Sequence, residues 1–238
     1  MRDASPCRRL DGAAVVRSLR ASSMDTRGSS TSSPIRPRLD VIRIGDHAGA
    51  RSQVGALVRL AGAWSIDVVV DSLPAECSAS TVRRRLKRAS SDPDVHGVLV
   101  TSPLPARLRG VMDALAPAKD VEGAHPASQA RFLDGRAPLD PAPVVALRAL
   151  LESAGRSARG SRGVVVARPG VLPSLLAAAL HQGRHGPRLI SPEDATPDDL
   201  RVAGILVLVD GEPEGVDDRS VGVGATVIDF GVHMTESG

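Results

Sequence analysis

The segment "PAKDVEGAHP", residues 117–126, sets two carboxylates two residues apart just before a glycine. On an extended segment the side chains of Asp120 and Glu122 point to the same side, and Gly123 lets the backbone turn or approach a ligand closely. The segment therefore predicts either a binding loop with paired carboxylates or a charged surface turn closed by its His-Pro pair. The choice between them depends on the rest of the chain.

Apolar runs on either side of this segment alternate with amphipathic stretches. Such alternation is typical of βαβ units and predicts an α/β protein with parallel sheets. Strands are predicted near residues 39–45, 66–72, 95–101, 163–167, 204–209 and 225–230. Helices are predicted at residues 50–63, 78–90, 141–155 and about 171–182, the second of them opened by Ser78 as its cap.

The two series of strands are separated by a proline-rich segment at residues 136–143. This arrangement predicts two α/β domains, 8–138 and 139–238, joined by the helix at 141–155. A chain of 238 residues is long enough to build both cores. Residues 24–38, rich in Ser, Pro, Gly and Arg, are predicted to form a flexible linker.

The composition argues against nucleic-acid and membrane partners. The net charge is +3, and the one basic run, residues 83–88, has no aromatic side chains interleaved with it. We therefore interpret this run as a solvated helix face. No apolar run approaches the roughly 18 residues of a membrane span, and the N-terminal arginines are not followed by the apolar core of a signal segment. We expect a cytoplasmic protein.

The side chains that could hold a metal are few and poorly spaced. Cys7 and Cys77 lack metal-ligand spacing. His181 and His185 are four residues apart, but Gly183 between them indicates a helix end, and no third ligand is near in sequence. We expect two solvated histidines and no metal.

A candidate phosphate site lies in "VVVARPGVLPS", residues 164–174, where a buried strand runs through a Pro-Gly turn into a helix. This geometry leaves backbone N–H groups and the positive end of a helix dipole free for a phosphate, with Arg168 beside them. A plain strand-to-helix turn explains the same residues equally well. The Gly-x-Gly pattern of residues 222–224 precedes a strand, whereas a dinucleotide fingerprint follows one.

Five segments carry a specific resemblance through their content and their order. They are "LDG" (10–12), "VIRIGDHAGARSQV" (41–54), "HGVLVTSPLP" (96–105), "PAKDVEGAHP" (117–126) and "ATVIDFGVH" (225–233). They resemble the methylenetetrahydrofolate dehydrogenase/methenyltetrahydrofolate cyclohydrolase family, called FolD in bacteria. The acidic segment is close to that family's Pro-x-Lys-Asp-Val-Asp-Gly-Phe-His-Pro, which favours the binding loop over the surface turn.

In this family a reduced folate carrying a methylene bridge gives a hydride to NADP, and the resulting methenyl folate is hydrolysed to formyl folate. The resemblance implies a folate-type α/β domain over residues 8–138, a Rossmann-like NADP-binding domain over residues 139–238, and a cleft between them. It also implies NADP as the cofactor, a folate derivative as the ligand, and a homodimer or a heterodimer with a family homologue.

The family's catalytic positions are mostly substituted in this chain. The acid/base lysine of the family falls on Leu57, and the tyrosine that tunes this lysine and stacks on the pterin falls on Gln53. The glutamine of the family's Val-Gln-Leu-Pro segment falls on Thr101. The aspartate that holds the pterin falls on Glu122, which keeps the charge on a longer side chain.

Leu57 is the substitution with the largest consequence, because leucine cannot exchange a proton. With Val54, Val58 and Ala61 it forms an apolar stripe at helical spacing. We therefore expect Leu57 to be a core residue.

The same transfer from the family assigns binding positions. Substrate contacts are implied at Pro103, Asp120 and Glu122. A structural alternative for the loop is that Asp120 and His125 brace the turn into a following helix. Cofactor contacts are implied at Ala167, Arg168, Pro169 and Val232.

The chain stops at Gly238, before the family's Pro-Gly-Gly-Val-Gly-Pro-Met-Thr segment, which closes over folate and leads into a helix that packs on the first domain. We therefore expect a truncated second domain and an exposed apolar patch on the first. Two functions stay open: a working dehydrogenase/cyclohydrolase with a divergent acid/base set, or a non-catalytic relative that binds folate, a nucleotide or a partner. The substituted residues favour the second.

Overall fold

The computed structural model describes residues 8–28, 36–102, 104–108, 110–155, 161–210, 216–217 and 219–231. Two of the implied contact residues, Pro103 and Val232, lie outside these ranges. The described residues fall into two compact units. The first unit comprises residues 36–143, and the second comprises residues 8–28 together with the described part of 144–231.

Strands and helices alternate along the chain. The strands are β1 (Arg38–Ile44), β2 (Asp67–Leu73), β3 (Gly97–Val100), β4 (Gly163–Val166), β5 (Arg188–Ile190), β6 (Ile205–Leu208) and β7 (Thr226–Asp229). The α-helices are α1 (Gly12–Gly28), α2 (Ala48–Ala63), α3 (Ala79–Ser91), α4 (Pro126–Leu133), α5 (Ala142–Ser153), α6 (Val171–Gln182) and α7 (Pro197–Arg201). Single turns of 3₁₀ helix lie at Ala106–Leu108, Val111–Ala114, Pro117–Lys119 and Pro192–Asp194.

The first unit is built on a three-stranded parallel sheet in the order β2-β1-β3. Val41 and Leu99, which are paired across β1 and β3, point to the face that α2 covers. Ile42 points to the opposite face and packs with Val82 and Leu86 of α3 in a larger core. Because alternate residues of a strand face opposite sides, each apolar strand supplies both layers of packing.

The second unit carries a four-stranded parallel sheet in the order β5-β4-β6-β7. Every residue of β4 is buried, as is expected when helices cover both faces of a parallel sheet. The α/β fold class with parallel sheets is thus confirmed, and all six predicted strands occur within two residues of their predicted ends. Ser78 is also confirmed as a cap, since its Oγ accepts the N–H of Thr81 at 3.2 Å.

Two elements differ from the sequence predictions. The linker predicted at residues 24–38 is wrong at both ends, because α1 continues to Gly28 and β1 begins at Arg38; residues 29–35 lie outside the described residues. Helix growth is cooperative, so a helix started by apolar residues can extend through polar ones. Strand β5 was not predicted, because three residues are too few to show a period.

The boundary between the two compact units falls between Pro143 and Val144, and α1 groups with the second unit. The division into two domains at residues 138 and 139 stays a prediction, as does the cleft between them. Six large apolar side chains among the described residues of the first unit are exposed to solvent: Val58, Leu60, Val69, Val70, Leu133 and Leu139. They accord with the apolar patch expected there, although their continuity stays a prediction. Among the described helices, none is long and apolar enough to cross a bilayer.

His185 is buried rather than solvated, which corrects the sequence prediction, whereas His181 is exposed. The His185 ring lies against Gly183, where a Cβ atom would come within 2.9 Å of the imidazole Cδ2. Glycine therefore makes room for the ring at the end of α6. Within the described part of the chain the buried Nδ1 atom of His185 has no hydrogen-bond partner, and burial lowers the pKa of this histidine.

We expect acid to destabilise the fold through His185. Its pKa in the folded chain lies below the ordinary value of 6.5, so below about pH 6.5 the unfolded chain binds more protons and the free energy of unfolding falls. His185→Leu should therefore flatten the dependence of melting temperature on pH between about pH 7 and about pH 5. His181→Leu is the matched control and should keep the original slope. Equal slopes in the original chain and His185→Leu would contradict this account.

Candidate functional site

The acidic loop, residues 117–123, is attached to the edge of the first sheet. Asp120 forms an isolated parallel bridge with Val98, which extends the pairing beyond β3. Val121 then lies against Gly97, where an added Cβ would come within 2.7 Å of the valine Cγ1. A glycine in β3 therefore permits the close approach of the loop to the strand.

Lys119 fastens the loop to α3. Its Nζ donates hydrogen bonds to the carbonyl oxygen of Ala89, at 3.1 Å, and to the carbonyl oxygen of Asp92, which caps the helix. These carbonyls belong to the C-terminal turn, where a helix has unsatisfied acceptors and the negative end of its dipole. Sequence reasoning did not identify this role, although Lys119 is one of only two lysines in the chain.

Asp120 braces the turn that follows it. One carboxylate oxygen accepts the N–H of Ala124 at 3.1 Å, and the other accepts the N–H of His125 at 2.8 Å. Gly123 adopts a positive φ of 72°, which glycine tolerates without strain. His125 in turn accepts the N–H of Ala127 through Nδ1 and caps α4. The bracing alternative for Asp120 and His125 is therefore confirmed, while a substrate contact at Asp120 stays a prediction.

Asp120→Ala should lower the free energy of unfolding by roughly 2–3 kcal/mol, because two backbone N–H groups lose a charged acceptor. Asp113→Ala is the control, since Asp113 pairs with Arg83 on the surface, and it should cost less than about 1 kcal/mol. Urea unfolding followed by circular dichroism measures both variants. A loss for Asp120→Ala no larger than that for the control would show that this carboxylate does not hold the loop.

Glu122 differs from Asp120 in having no structural partner. It is partly buried, and its carboxylate makes no hydrogen bond or ion pair with any residue that the structure describes. Burial, with a smaller contribution from the negative charge of Asp120, raises the pKa of Glu122 to about 7. Near neutral pH this side chain is therefore divided between its acid and its carboxylate, and it can donate or accept a proton.

Helix α2 brings an apolar surface to the loop. Leu57 is partly buried and packs with Val54 and Leu99 in a cluster that also includes Val121. Leu57 therefore borders the core and does not lie within it, which agrees only in part with the prediction of a core residue. The stripe fails at Val58, which is 46% exposed because α2 packs on the sheet through a narrower face than the pattern indicates.

The other two substituted positions lie in different environments. Gln53 is exposed on α2, one helical turn before Leu57. Thr101 is buried, and its N–H donates to the carbonyl oxygen of Ile42 at 3.0 Å, which continues the strand pairing beyond β3. Thr101 therefore stands at the carboxyl end of a parallel strand, where α/β sheets commonly bind ligands. The apolar cluster thus joins three elements: the loop that carries Glu122, helix α2 with Leu57, and strand β3, which Thr101 directly follows.

The predicted nucleotide turn lies in the second unit, between β4 and α6. Ala167 is buried, and its N–H donates to the carbonyl oxygen of Ile190 at 2.9 Å. Arg168 donates its backbone N–H to Asp210 at 2.8 Å, and its guanidinium lies 3.8 Å from Glu193. The exposed Pro169 follows, and α6 begins after Gly170 without a side-chain cap. Sequence reasoning missed Asp210, which has no recognisable motif around it.

Comparison with known proteins identifies the class defined by this fold and loop. Residues 10–122 match the family described as tetrahydrofolate dehydrogenase/cyclohydrolase, catalytic domain. The chain is 30% identical to the bifunctional protein FolD of Polynucleobacter asymbioticus, over 98% of this chain and 83% of that protein. It is also 30% identical to FolD of Geobacillus thermodenitrificans, over 96% and 82%. The chain therefore belongs to the tetrahydrofolate dehydrogenase/cyclohydrolase family.

Solved structures agree on the fold. The bifunctional FolD enzyme of Campylobacter jejuni superposes with a TM-score of 0.81 at 20% identity, over 95% of this chain and 80% of that one. FolD of Trypanosoma brucei, solved with NADP cofactor and an inhibitor, superposes with a TM-score of 0.80 at 23% identity, over 92% and 76%. The family is the bifunctional methylenetetrahydrofolate dehydrogenase/cyclohydrolase family of folate metabolism.

Proposed function

We propose that this chain binds a folate derivative but turns it over only at background rates. The packing of Leu57 into the apolar cluster with Val54, Leu99 and Val121 carries this proposal. The family's acid/base lysine corresponds to this position, and a leucine in apolar contact offers no proton. Loss of a group that moves protons in a transition state typically costs about 10²–10⁴-fold in rate.

The retained architecture of the acidic loop supports ligand binding. Lys119 and Asp120 hold the loop through backbone groups, so they maintain its shape whether or not a reaction occurs. Glu122 is partly buried and has no partner among the described residues, which leaves its acceptor capacity free. N–H donors of a pterin would satisfy that capacity with charge-assisted hydrogen bonds.

A second candidate function is a divergent enzyme in which Glu122 is the acid/base group. The observation that favours it is the pKa of about 7, since general acids and bases work best when their pKa lies near the operating pH. In this alternative Glu122 would exchange the proton that the family's lysine exchanges. Gln53 and Thr101 would not supply the stacking and tuning that the family's tyrosine and glutamine supply.

The proposal includes NADP as the cofactor at the turn of Ala167, Arg168 and Pro169, with weakened affinity. FolD of Trypanosoma brucei was solved with NADP, and the uncapped start of α6 has backbone N–H groups suited to a phosphate. Pro169 cannot donate the hydrogen bonds of the family's serine, and the Arg168 guanidinium already lies near Glu193. NADP titration followed by calorimetry measures this affinity, and binding as tight as micromolar would contradict the weakening.

The proposal also includes a cytoplasmic homodimer, or a heterodimer with a family homologue, paired through the second unit. Its support is β7, an edge strand with Val227 40% exposed. Sedimentation at increasing concentration, alone and with a homologue, measures the pairing; a monomer under both conditions would oppose it.

Glu122→Ala should weaken binding of a tetrahydrofolate derivative by roughly 1.5–3 kcal/mol without lowering the melting temperature, because a partly buried, unpaired carboxylate does not stabilise the fold. The affinity of the original chain should rise with pH, by up to about tenfold per unit below pH 7, and level off above it, because the carboxylate is the accepting form. Glu122→Gln should remove this pH dependence. Calorimetric titration from about pH 6 to about pH 8 measures both effects. If Glu122→Ala lowers the melting temperature and the original chain has no affinity for folate, the binding role of Glu122 is wrong.

Hydride transfer to NADP and hydrolysis of methenyl folate should both be at background, and absorbance assays of each reaction with the original chain measure this. Turnover within about tenfold of an ordinary family member would contradict the loss of activity. If Glu122→Gln then abolished that turnover with an intact fold, the second candidate function would replace the first.

A further inference from the structure

A pocket of about 260 Å³ lies in the first unit on the side of the acidic loop that faces α4. Its lining includes Asp120 and Gly123 of the loop, Ser128 and Arg131 of α4, and an apolar wall that includes Pro138 and Leu139. The lining of this α4 pocket shares Asp120 with the positions where a substrate contact is implied, but it includes none of the four substituted family positions, Gln53, Leu57, Thr101 and Glu122. Its volume is below the roughly 300–1,000 Å³ of sites that bury a drug-sized ligand, which indicates a small ligand.

Ser128 is the first indication of a ligand. Its Oγ is buried and has no hydrogen-bond partner among the residues that the structure describes. A buried hydroxyl without a partner is energetically disfavoured, and serine in a helix can satisfy its hydroxyl with the carbonyl four residues earlier. Here the carbonyl of Ala124 accepts a hydrogen bond from the Gln129 side chain instead. A ligand in the pocket would supply the missing partner.

Arg131 follows Ser128 by three residues, so both lie on the same face of α4. Its guanidinium makes no hydrogen bond or ion pair with the described residues, in contrast to Arg136 beyond the helix, which pairs with Asp134. A guanidinium binds a carboxylate through two parallel hydrogen bonds. The helix therefore presents a cation and a hydroxyl together, which are the groups that a carboxylate requires.

Asp120 adds the opposite charge to the same pocket. It lines the pocket without forming an ion pair with Arg131. Its two oxygens each accept one backbone N–H, and a carboxylate can accept about four hydrogen bonds in all. A purely anionic ligand would be repelled by Asp120, whereas a ligand that also carries an ammonium group would complement it.

From this arrangement we propose that the α4 pocket binds a small apolar α-amino acid as its zwitterion. The carboxylate lies on Arg131 and accepts the Ser128 hydroxyl, and the ammonium group faces Asp120. The apolar side chain rests against Pro138 and Leu139. This site shares Asp120 with the implied substrate contacts but uses neither Glu122 nor the nucleotide turn. Variants of Arg131 and Ser128 therefore test it separately from the proposed folate function.

Calorimetric titration of the full chain with leucine, near pH 7, tests the proposal. We expect a dissociation constant of about 1 mM or tighter. Two probes that each keep the apolar body and lose one charge, 4-methylpentanoate and isopentylamine, should bind at least about tenfold more weakly. Equal binding of 4-methylpentanoate and leucine, or no leucine binding at all, would overturn the assignment.

Variants separate a specific site from general adsorption. Arg131→Gln should weaken leucine binding at least about tenfold, and Ser128→Ala should weaken it by several-fold, because each removes one partner of the carboxylate. Arg136→Gln is the matched control, since it removes a surface arginine that does not line the pocket, and it should leave the affinity unchanged. Melting temperatures check that each variant is folded. Equal weakening by Arg131→Gln and Arg136→Gln would show a general effect of charge and overturn the proposal.

Discussion

The candidate site depends on how the acidic loop is tied to backbone that is already in place. Lys119 donates hydrogen bonds to carbonyl oxygens at the end of α3, and Asp120 accepts hydrogen bonds from N–H groups of the turn before α4. Both are interactions between a charged side chain and oriented peptide dipoles, which are stronger than neutral hydrogen bonds. Because α3 and the sheet orient these partners independently of any ligand, the loop keeps its shape without one. The shape of the loop sets the position of Glu122 and forms one side of the α4 pocket.

The two carboxylates of the loop show how the backbone divides functions between similar side chains. Asp120 receives two N–H donors, whereas Glu122 receives none from the described residues and is partly buried beside a like charge. Burial and a like charge favour the protonated form of Glu122. Asp120 therefore serves the structure, and Glu122 keeps the capacity for binding or proton exchange. Asp120 and Glu122 lie on either side of Val121 in sequence, but their surroundings in the fold differ.

The apolar cluster beside the loop links the fold to the proposed loss of chemistry. Leu57 contacts the same cluster as Val54, Leu99 and Val121, so the wall that would face a substrate on this side is hydrocarbon. A lysine at this position would have to extend its ammonium beyond the cluster, because an unpaired charge is strongly disfavoured in apolar surroundings. The leucine therefore contributes to packing at the position that we propose corresponds to the family's lysine. Such an apolar surface can still bind a ligand, but it has no group that can transfer a proton.

The sequence by itself determined the parallel α/β architecture, the family and the place of the acidic loop. The apolar run of β4 indicates a buried strand of a parallel sheet, and the Ser78 cap is an interaction between neighbouring residues. Both features can be identified from the sequence. Only the tertiary structure decided the burial of His185, the attachment of Lys119 to α3 and the unpaired Ser128 hydroxyl. Each of these depends on groups distant in sequence or on the packing around a side chain. Local patterns specify which elements form, but the free energy of a buried polar group depends on the neighbours that folding brings to it.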